Sequence, residues 1–162
     1  MAKNTASIVK KTNSRMQLLQ TISSFGASPE DLKQIYISFI RSHLEKSCTV
    51  WHSGLTEENS NDLERIQKSA LKLILKKQYT TYQNALNLLQ LENLKNRRES
   101  LCLQFAKKCL TNTKMKRLFH KIPKKHKMLT RLKQKISTKH ARKKRLKNSP
   151  VIFMQKLLNQ ES

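Results

Sequence analysis

The chain has 162 residues, with 34 Lys/Arg against 10 Asp/Glu, a net charge of +24 and a hydrophobic content of 37%. The length suits one domain plus an extension, or one extended domain, and an apolar share below the roughly 45–50% of ordinary globular chains means that a core cannot involve every residue. Two glycines and three prolines exclude a hairpin-rich β architecture and favour helices joined by polar turns.

The first predicted helix covers residues 6–24, with Ile8, Val9, Met16, Leu18, Leu19 and Ile22 on its apolar side and Lys10, Lys11 and Arg15 outside. Phe25-Gly26-Ala27 ends it. Ser28-Pro29-Glu30-Asp31 is a helix start: serine caps, proline suits the first helical position, and Asp31 reaches back as in a capping box. The second helix runs to about Lys46, with Leu32, Ile35, Tyr36, Phe39, Ile40, His43 and Leu44 at three- and four-residue steps. Trp51 follows in a polar break. A third helix carries Leu63, Ile66, Ala70, Leu71 and Ile74 inside and Glu64, Arg65, Lys68 and Lys72 outside, and Asn61 with Glu64 forms a capping pattern at its front. Thr80 and Gln83 repeat that pattern before a fourth helix, Tyr82–Leu89. The fifth spans about Asn93–Leu110, with Leu94, Leu101, Phe105 and Cys109 along one side. Residues 35–75, two amphipathic helices joined across the lone tryptophan, form the expected packing nucleus.

These signals predict an all-α fold: a small bundle of about five helices over residues 6–118, with a basic, partly helical or disordered extension over 119–162. In the extension Pro123 interrupts the pattern, and Met128, Leu132 and Ile136 form a thin apolar stripe among lysines. Val151–Leu158 is apolar again and reads as a short terminal helix that docks on the bundle or on a neighbour.

The charge is placed unevenly. Residues 1–99 carry 15 Lys/Arg against 9 Asp/Glu, whereas residues 100–162 carry 19 against one acid, Glu161. A cationic run of that length repels itself until a polyanion neutralises it, so nucleic acid is the expected partner, ahead of an anionic membrane surface. A solvated tail without a specific partner is the bland alternative. The start, MAKNTASIVKK, has no apolar signal region, and no apolar run approaches the ~20 residues of a membrane span. Cys48, Cys102 and Cys109 contain no CxxC pair, which excludes a disulfide framework and a zinc knuckle and suits a reduced intracellular setting. Cys102 and Cys109 read as small buried apolar residues.

Candidate chemistry is sparse. Metal-dependent polymerases and nucleases need carboxylates converging on divalent ions. Glu30, Asp31, Asp62 and Glu64 fall where helix starts use acids, and Glu57-Glu58 lies in a connection with no matching second cluster. There is no aspartate pair on a hairpin, no glycine-rich phosphate loop and no nucleophile with a base. No catalytic residue, metal ligand or cofactor is therefore assigned. His43 reads as a core or boundary histidine and His52 as a turn residue, while His120, His126 and His140 add to the basic half. Trp51 is expected to be buried packing rather than a base-stacking platform. Arg97-Arg98 are either a solvated pair facing Glu99 or Glu92, or a phosphate clamp. With Lys107, Lys108, Lys124, Lys125, Arg142, Lys143, Lys144 and Arg145 they make up the candidate nucleic-acid-binding set. Arg142-Lys143-Lys144-Arg145 also suits nuclear import, which gives the localisation a lean toward the nucleus.

Taken in order, Tyr36, Ile40-Arg41-Ser42, Leu44-Glu45, Val50-Trp51-His52, Leu55-Thr56, Leu63-Glu64-Arg65-Ile66-Gln67-Lys68, Tyr79, Tyr82, Ala85-Leu86, Leu94, Arg97-Arg98 and Leu101 form a pattern. It resembles the region just after the polymerase core in reverse transcriptases of non-LTR, LINE-type retrotransposons, in particular Jockey-like elements. Leu146-Lys147-Asn148-Ser149-Pro150 and Met154–Asn159 are similar to the carboxy-terminal end of such polyproteins. The resemblance spans about Ile8 to Asn159. It implies a helical thumb and post-thumb region that helps hold an RNA or RNA–DNA template–primer duplex beside an upstream palm. In that family the catalytic aspartates belong to the palm, and nothing in this chain matches them. Lys46 stands where the family often has a tyrosine after the glutamate. The expectation is a non-catalytic fragment that binds RNA, DNA or a hybrid duplex through phosphates. The alternatives are the tail of a complete RNA-directed DNA polymerase and a remnant without function.

Overall fold

The structure is a computed structural model that describes residues 2–119, 136–138 and 142–161. It is all-α: the described elements are helices, and no strand forms among the described residues. The chain divides into two compact units, residues 1–48 with 55–98, and residues 49–54 with 99–162. The chain crosses between them three times, after residues 48, 54 and 98.

In the first unit, α1 (Ala2–Ser24) lies along α5 (Glu57–Leu75). The residues α1 turns inward are Thr5, Thr12, Leu19 and Ser23, only one of them a large hydrophobe. Their small size lets the two helices approach, and the Thr12 hydroxyl donates to the Ile8 carbonyl at 2.7 Å, so its burial strands no donor. The predicted apolar side is therefore rotated: Leu18 is 46% exposed, and Ile8, Val9, Met16 and Ile22 sit at the boundary.

The capping box at Ser28 forms as expected. The Ser28 hydroxyl accepts from the Asp31 amide at 3.2 Å and donates to the Asp31 carboxylate at 2.7 Å, with Pro29 at the first position of α2 (Pro29–Ile35). The helical path then widens into a π-helical turn, Tyr36–Arg41, and continues as α3 (Ser42–Glu45). Leu32, Tyr36, Ile40 and Leu44 are all fully buried at strict four-residue spacing. In a 3.6-residue helix such a stripe drifts by about 40° per step, and the wider turn takes that drift back. Phe39, expected inside, is instead 41% exposed: its carbonyl accepts from Arg15 Nη1 at 2.5 Å, and the same guanidinium lies 4.4 Å from its ring centre.

Ser47, at a φ of 55°, breaks the path, and the segment read as a polar break is two short helical turns, α4 (Cys48–Trp51) and the 3₁₀ turn His52–Gly54. Trp51 is buried, as expected. α5 begins a turn earlier than its sequence suggests. Thr56 is the cap, accepting from the Asn59 amide at 3.2 Å, and Glu57 and Glu58 occupy the first turn, where the helix dipole favours carboxylates. Asn61 and Glu64 therefore lie inside the helix. Leu63, Ile66, Ala70, Leu71 and Ile74 are buried as predicted, joined by Gln67 and Leu75.

α6 (Tyr82–Leu88) is capped by Thr81 rather than Thr80; Thr80 instead accepts from the Asn84 side chain at 2.8 Å. It closes through a Schellman turn. Gln90 takes a φ of 52°, Leu91 N–H reaches the Leu86 carbonyl at 2.8 Å, and Gln90 N–H reaches that of Asn87 at 3.1 Å. α7 (Leu94–Thr111) then starts under an Asn93 cap to the Asn96 amide at 2.8 Å.

Gln67 joins these elements. It is fully buried, and its carbonyl oxygen accepts from the Tyr36 hydroxyl at 2.6 Å. Its amide donates to the Tyr82 hydroxyl and to the Glu92 carbonyl, each at 2.9 Å. Tyr82 donates onward to Glu64, and the same Glu64 oxygen accepts from the Leu94 amide at 3.2 Å. Burial holds both phenols above their ordinary pKa, with the Glu64 contact adding to the effect at Tyr82.

In the second unit, the later half of α7 supplies Cys102, Ala106 and Cys109 to a core completed by Phe119, Ile136, Met154 and Leu158. Both cysteines are buried small residues, as read, and burial pushes the Cys109 thiol up. Phe105, predicted on the inner side, is 39% exposed, because the buried stripe runs through Cys102, Ala106 and Cys109. After the single turn α8 (Lys144–Lys147), α9 (Pro150–Gln160) starts with a Ser149 cap and Pro150 at its first position. It docks through Ile152, Met154, Gln155 and Leu158. Two amide contacts fix its end: Asn159 accepts from the Ile136 amide at 3.0 Å and donates to the Ile136 carbonyl at 2.9 Å. Gln155 donates to the Leu118 carbonyl at 2.8 Å. Met128 and Leu132 of the predicted stripe lie outside the described residues.

Replacing Gln67 by leucine fills the same space but leaves the buried Tyr36 hydroxyl without its partner and removes the bonds to the Tyr82 hydroxyl and the Glu92 carbonyl. The expected cost is about 3 kcal/mol, against about 1 kcal/mol for Tyr36→Phe. Thermal unfolding followed by circular dichroism checks that ordering.

Candidate functional site

The candidate residues fall into distinct settings. Arg98 is withdrawn from the surface: it is fully buried, and its Nη2 donates to Ser60 Oγ at 3.0 Å. A guanidinium with no accessible area cannot meet a phosphate in this conformation, so Arg98 belongs to the interior of the first unit. Arg97 pairs with neither Glu99 nor Glu92. Its Nε lies 3.3 Å from Glu45 Oε1, which Arg41 approaches to 3.6 Å. Glu45 is 13% exposed and Arg97 34%, so two arginines hold one largely buried carboxylate, and Arg97 keeps only part of its fork at the surface. The two halves of the expected clamp thus point to different tasks.

The second unit is different. Every described lysine and arginine in it, from Lys107 to Lys156, is exposed. Lys107 is on the outer side of α7 with its ammonium 2.7 Å from Glu161, and Lys108 is beside it. At half exposure for both partners that ion pair adds little stability. Arg142 and Lys143 lead into α8, which carries Lys144 and Arg145. Lys124 and Lys125 lie outside the described residues, as do His120, His126 and His140. Against these cations the described part of the unit holds two acids, Glu99 and Glu161. Glu99 lies 3.8 Å from His52 Nε2, and the His52 ring meets Phe153 edge-on at 5.3 Å between centroids. His52 therefore packs in its turn, as its sequence setting suggested, and is not presented to a base.

The carboxylates are occupied with helix starts and pairs. Glu30 and Asp31 sit in the first turn of α2, Glu57 and Glu58 in that of α5, and Asp62 binds Arg65 at 3.0 Å. Among the described residues no three His, Cys, Asp or Glu side chains converge as a metal site would require. No helix of the described residues is long and apolar enough to cross a membrane.

A cationic grouping that sequence reading passed over lies on the first unit. Its signal was present: α1 contains no Asp or Glu along its whole length. Arg15 of α1, fixed to the Phe39 carbonyl, stands one helical turn beyond Lys11. His43 lies one turn after Phe39, and the Lys46 amide closes on the His43 carbonyl at 3.4 Å. Desolvation first, then Arg15, Lys11 and Lys46, hold the imidazole below its ordinary pKa, and its Nε2 is buried without a hydrogen-bond partner. No protein-family model, curated protein or solved structure matches the chain.

Two outcomes follow. Arg98→Met keeps the aliphatic bulk and removes the Ser60 bond, so it should destabilise the fold by about 2 kcal/mol. Arg97→Met should cost about 1 kcal/mol or less, given its exposure; urea titrations of both variants separate the roles. For His43, a folded pKa below the unfolded value means that the unfolded chain binds the extra proton. Stability is then fully present above about pH 6.5 and declines as pH falls through that value toward the lower folded pKa. His43→Leu should flatten the decline, read as unfolding midpoints between pH 5 and 8.

Proposed function

We propose that this chain is a non-catalytic nucleic-acid-binding module that holds RNA or an RNA–DNA duplex through its phosphates, as the thumb region of the non-LTR reverse transcriptases it resembles holds template and primer. One observation carries the reading. The described cations of the second unit are exposed and outnumber its acids, while its core is filled by apolar side chains. Phosphate contact of that kind positions a duplex without reading its bases. The ligands are Lys107, Lys108, Arg142, Lys143, Lys144 and Arg145, with Lys124 and Lys125 from the segment between and Arg97 in a secondary place. Arg98, buried in the first unit, is not among them. The resemblance also makes an upstream palm, bearing the catalytic aspartates, the natural working partner of such a module; the chain by itself then incorporates no nucleotides.

Each phosphate neutralised releases condensed counterions, so the logarithm of affinity for a duplex falls linearly with the logarithm of salt, by about 0.9 per contact. Fluorescence anisotropy with a labelled RNA–DNA hybrid, at several salt concentrations from 50 to 200 mM (about 10³–10⁵-fold loss for six to ten contacts), measures that slope. Replacing Arg142, Lys143, Lys144 and Arg145 together by glutamine should lower it by about 3 to 4, and hybrids of unrelated sequence should bind within a few-fold of one another. Salt-independent affinity, or a strong preference for one sequence, sinks the reading.

A further inference from the structure

We propose that the cleft where α5, α6 and α7 meet in the first unit binds a phosphate of a nucleic-acid strand between Lys68 and Lys95, with Lys72 taking a further phosphate of that strand. The proposal rests on the nucleic-acid reading above and adds to it a site made of different residues. The cleft has a volume of about 240 Å³. Its wall includes Ser60, Asn61 and Lys68 of α5, Tyr82 of α6, and Lys95 and Asn96 from the first turn of α7. Both lysines and both asparagines are exposed, so ammonium and amide donors from two helices are open to a solute. Ser60 Oγ accepts from Arg98 Nη2 at 3.0 Å, which leaves its own hydroxyl hydrogen to donate. The carboxylate on this wall, Glu64, is turned to the fold: its Oε1 takes the Tyr82 hydroxyl and the Leu94 amide, the latter at 3.2 Å. Among the described residues none of Lys68, Lys72 and Lys95 forms an ion pair.

Two of these lysines are already held in place. Lys68 Nζ lies 5.1 Å from the centre of the Tyr82 ring, and Lys72 Nζ lies 5.5 Å from that of Tyr79. The Tyr82 ring is itself fixed, because its hydroxyl is tied to Glu64 and to Gln67. A ring faces one side of an ammonium and restrains a side chain that otherwise samples many rotamers. The ammonium has three N–H donors, so some remain for an anion, and less ordering is left for binding to impose. Lys68 and Lys72 are one turn of α5 apart, about 6 Å along its axis. That step is of the same order as the one between neighbouring phosphates of a strand, so the two charges suit a repeated anion better than a single one. Compact ammonium groups bind phosphate as point charges, and the amide and hydroxyl donors of the cleft suit its remaining oxygens. Tyr79 acts here as a positioning residue, through Lys72.

The test uses the full chain and follows the side-chain amides of Asn61 and Asn96 by NMR, their signals assigned with Asn61→Ser and Asn96→Ser. Inorganic pyrophosphate and the RNA–DNA hybrid are added in separate titrations. The expected result is that each probe shifts both amide signals. In a Lys68→Gln/Lys95→Gln variant the shifts vanish, and the hybrid salt slope read by fluorescence anisotropy falls by about 2. Lys10→Gln/Lys77→Gln removes the same charge elsewhere on the unit and should leave both readouts nearly unchanged; an equal loss there overturns the cleft. Hybrid binding with unmoved amide signals and a salt slope that Lys68→Gln/Lys95→Gln leaves intact also overturns the cleft, while the reading of the second unit stands. Pyrophosphate shifts without any hybrid binding make the anion a free phosphate, which overturns both the strand and the nucleic-acid reading. No response to either probe overturns both as well. Tyr79→Leu keeps every cation but releases Lys72, so affinity should fall a few-fold at an unchanged salt slope and melting temperature, with Tyr79→Phe restoring it. Unaltered affinity in Tyr79→Leu overturns the positioning role.

Discussion

The first unit depends on one buried amide. Gln67 is placed in the middle of α5 among leucines and isoleucines, where an apolar side chain would ordinarily stand, and each polar atom of its head group is used. The partners come from three places in the chain: the π-helical turn, the start of α6, and the connection into α7. A buried amide without partners is costly, so the fold in which all three converge is set apart from alternatives that pack the same apolar surface in another register. Glu64 extends the same chain of bonds to the first amide of α7, where the positive end of the helix dipole favours its charge. Apolar burial supplies most of the driving force, and this network decides which arrangement it drives toward.

The π-helical turn has a similar double consequence. It keeps Leu32, Tyr36, Ile40 and Leu44 in one line, which delivers the Tyr36 hydroxyl to Gln67. It also turns Phe39 outward, where the ring and carbonyl together fix Arg15. A straight α-helix would have to give up either the buried stripe or the arginine anchor. The same local widening therefore serves the core on one side and a cationic surface on the other.

Much of this was legible in the sequence, and the parts that were not share a cause. Helix positions were readable because serine, threonine and proline at helix starts and apolar residues at helical spacing carry local signals; Ser28-Pro29 and the Leu63–Ile74 stripe are examples. The facing of α1 was not readable, because its inner positions are filled by Thr5, Thr12 and Ser23, and small hydroxyl residues look the same on a surface as in a close helix contact. Nor was Gln67, since a buried amide is recognisable only through partners that arrive from 15 to 31 residues away. Arg97 and Arg98 are adjacent in sequence and so were read together, yet 100° of helical turn sends one to Glu45 and the other inside. Lys124 and Lys125 stay where the sequence left them, as candidates on charge alone.

Burial sorts the chain's cations more sharply than sequence position does. Where an arginine is drawn inward, as at position 98, or held against a carboxylate, as at 41 and 97, its charge is used within the fold and contributes little field outside it. The described cations of the second unit are exposed instead. Its core is closed by Cys102, Ala106, Phe119, Ile136 and Met154, and the Lys107–Glu161 pair ties exposed charge to exposed charge. A fold that gains so little internally from its lysines and arginines, and bears their mutual repulsion, is most stable when something anionic lies against it. On the proposed reading, ligand binding and folding are coupled in this unit: a polyanion held against that surface would relieve the repulsion among its cations.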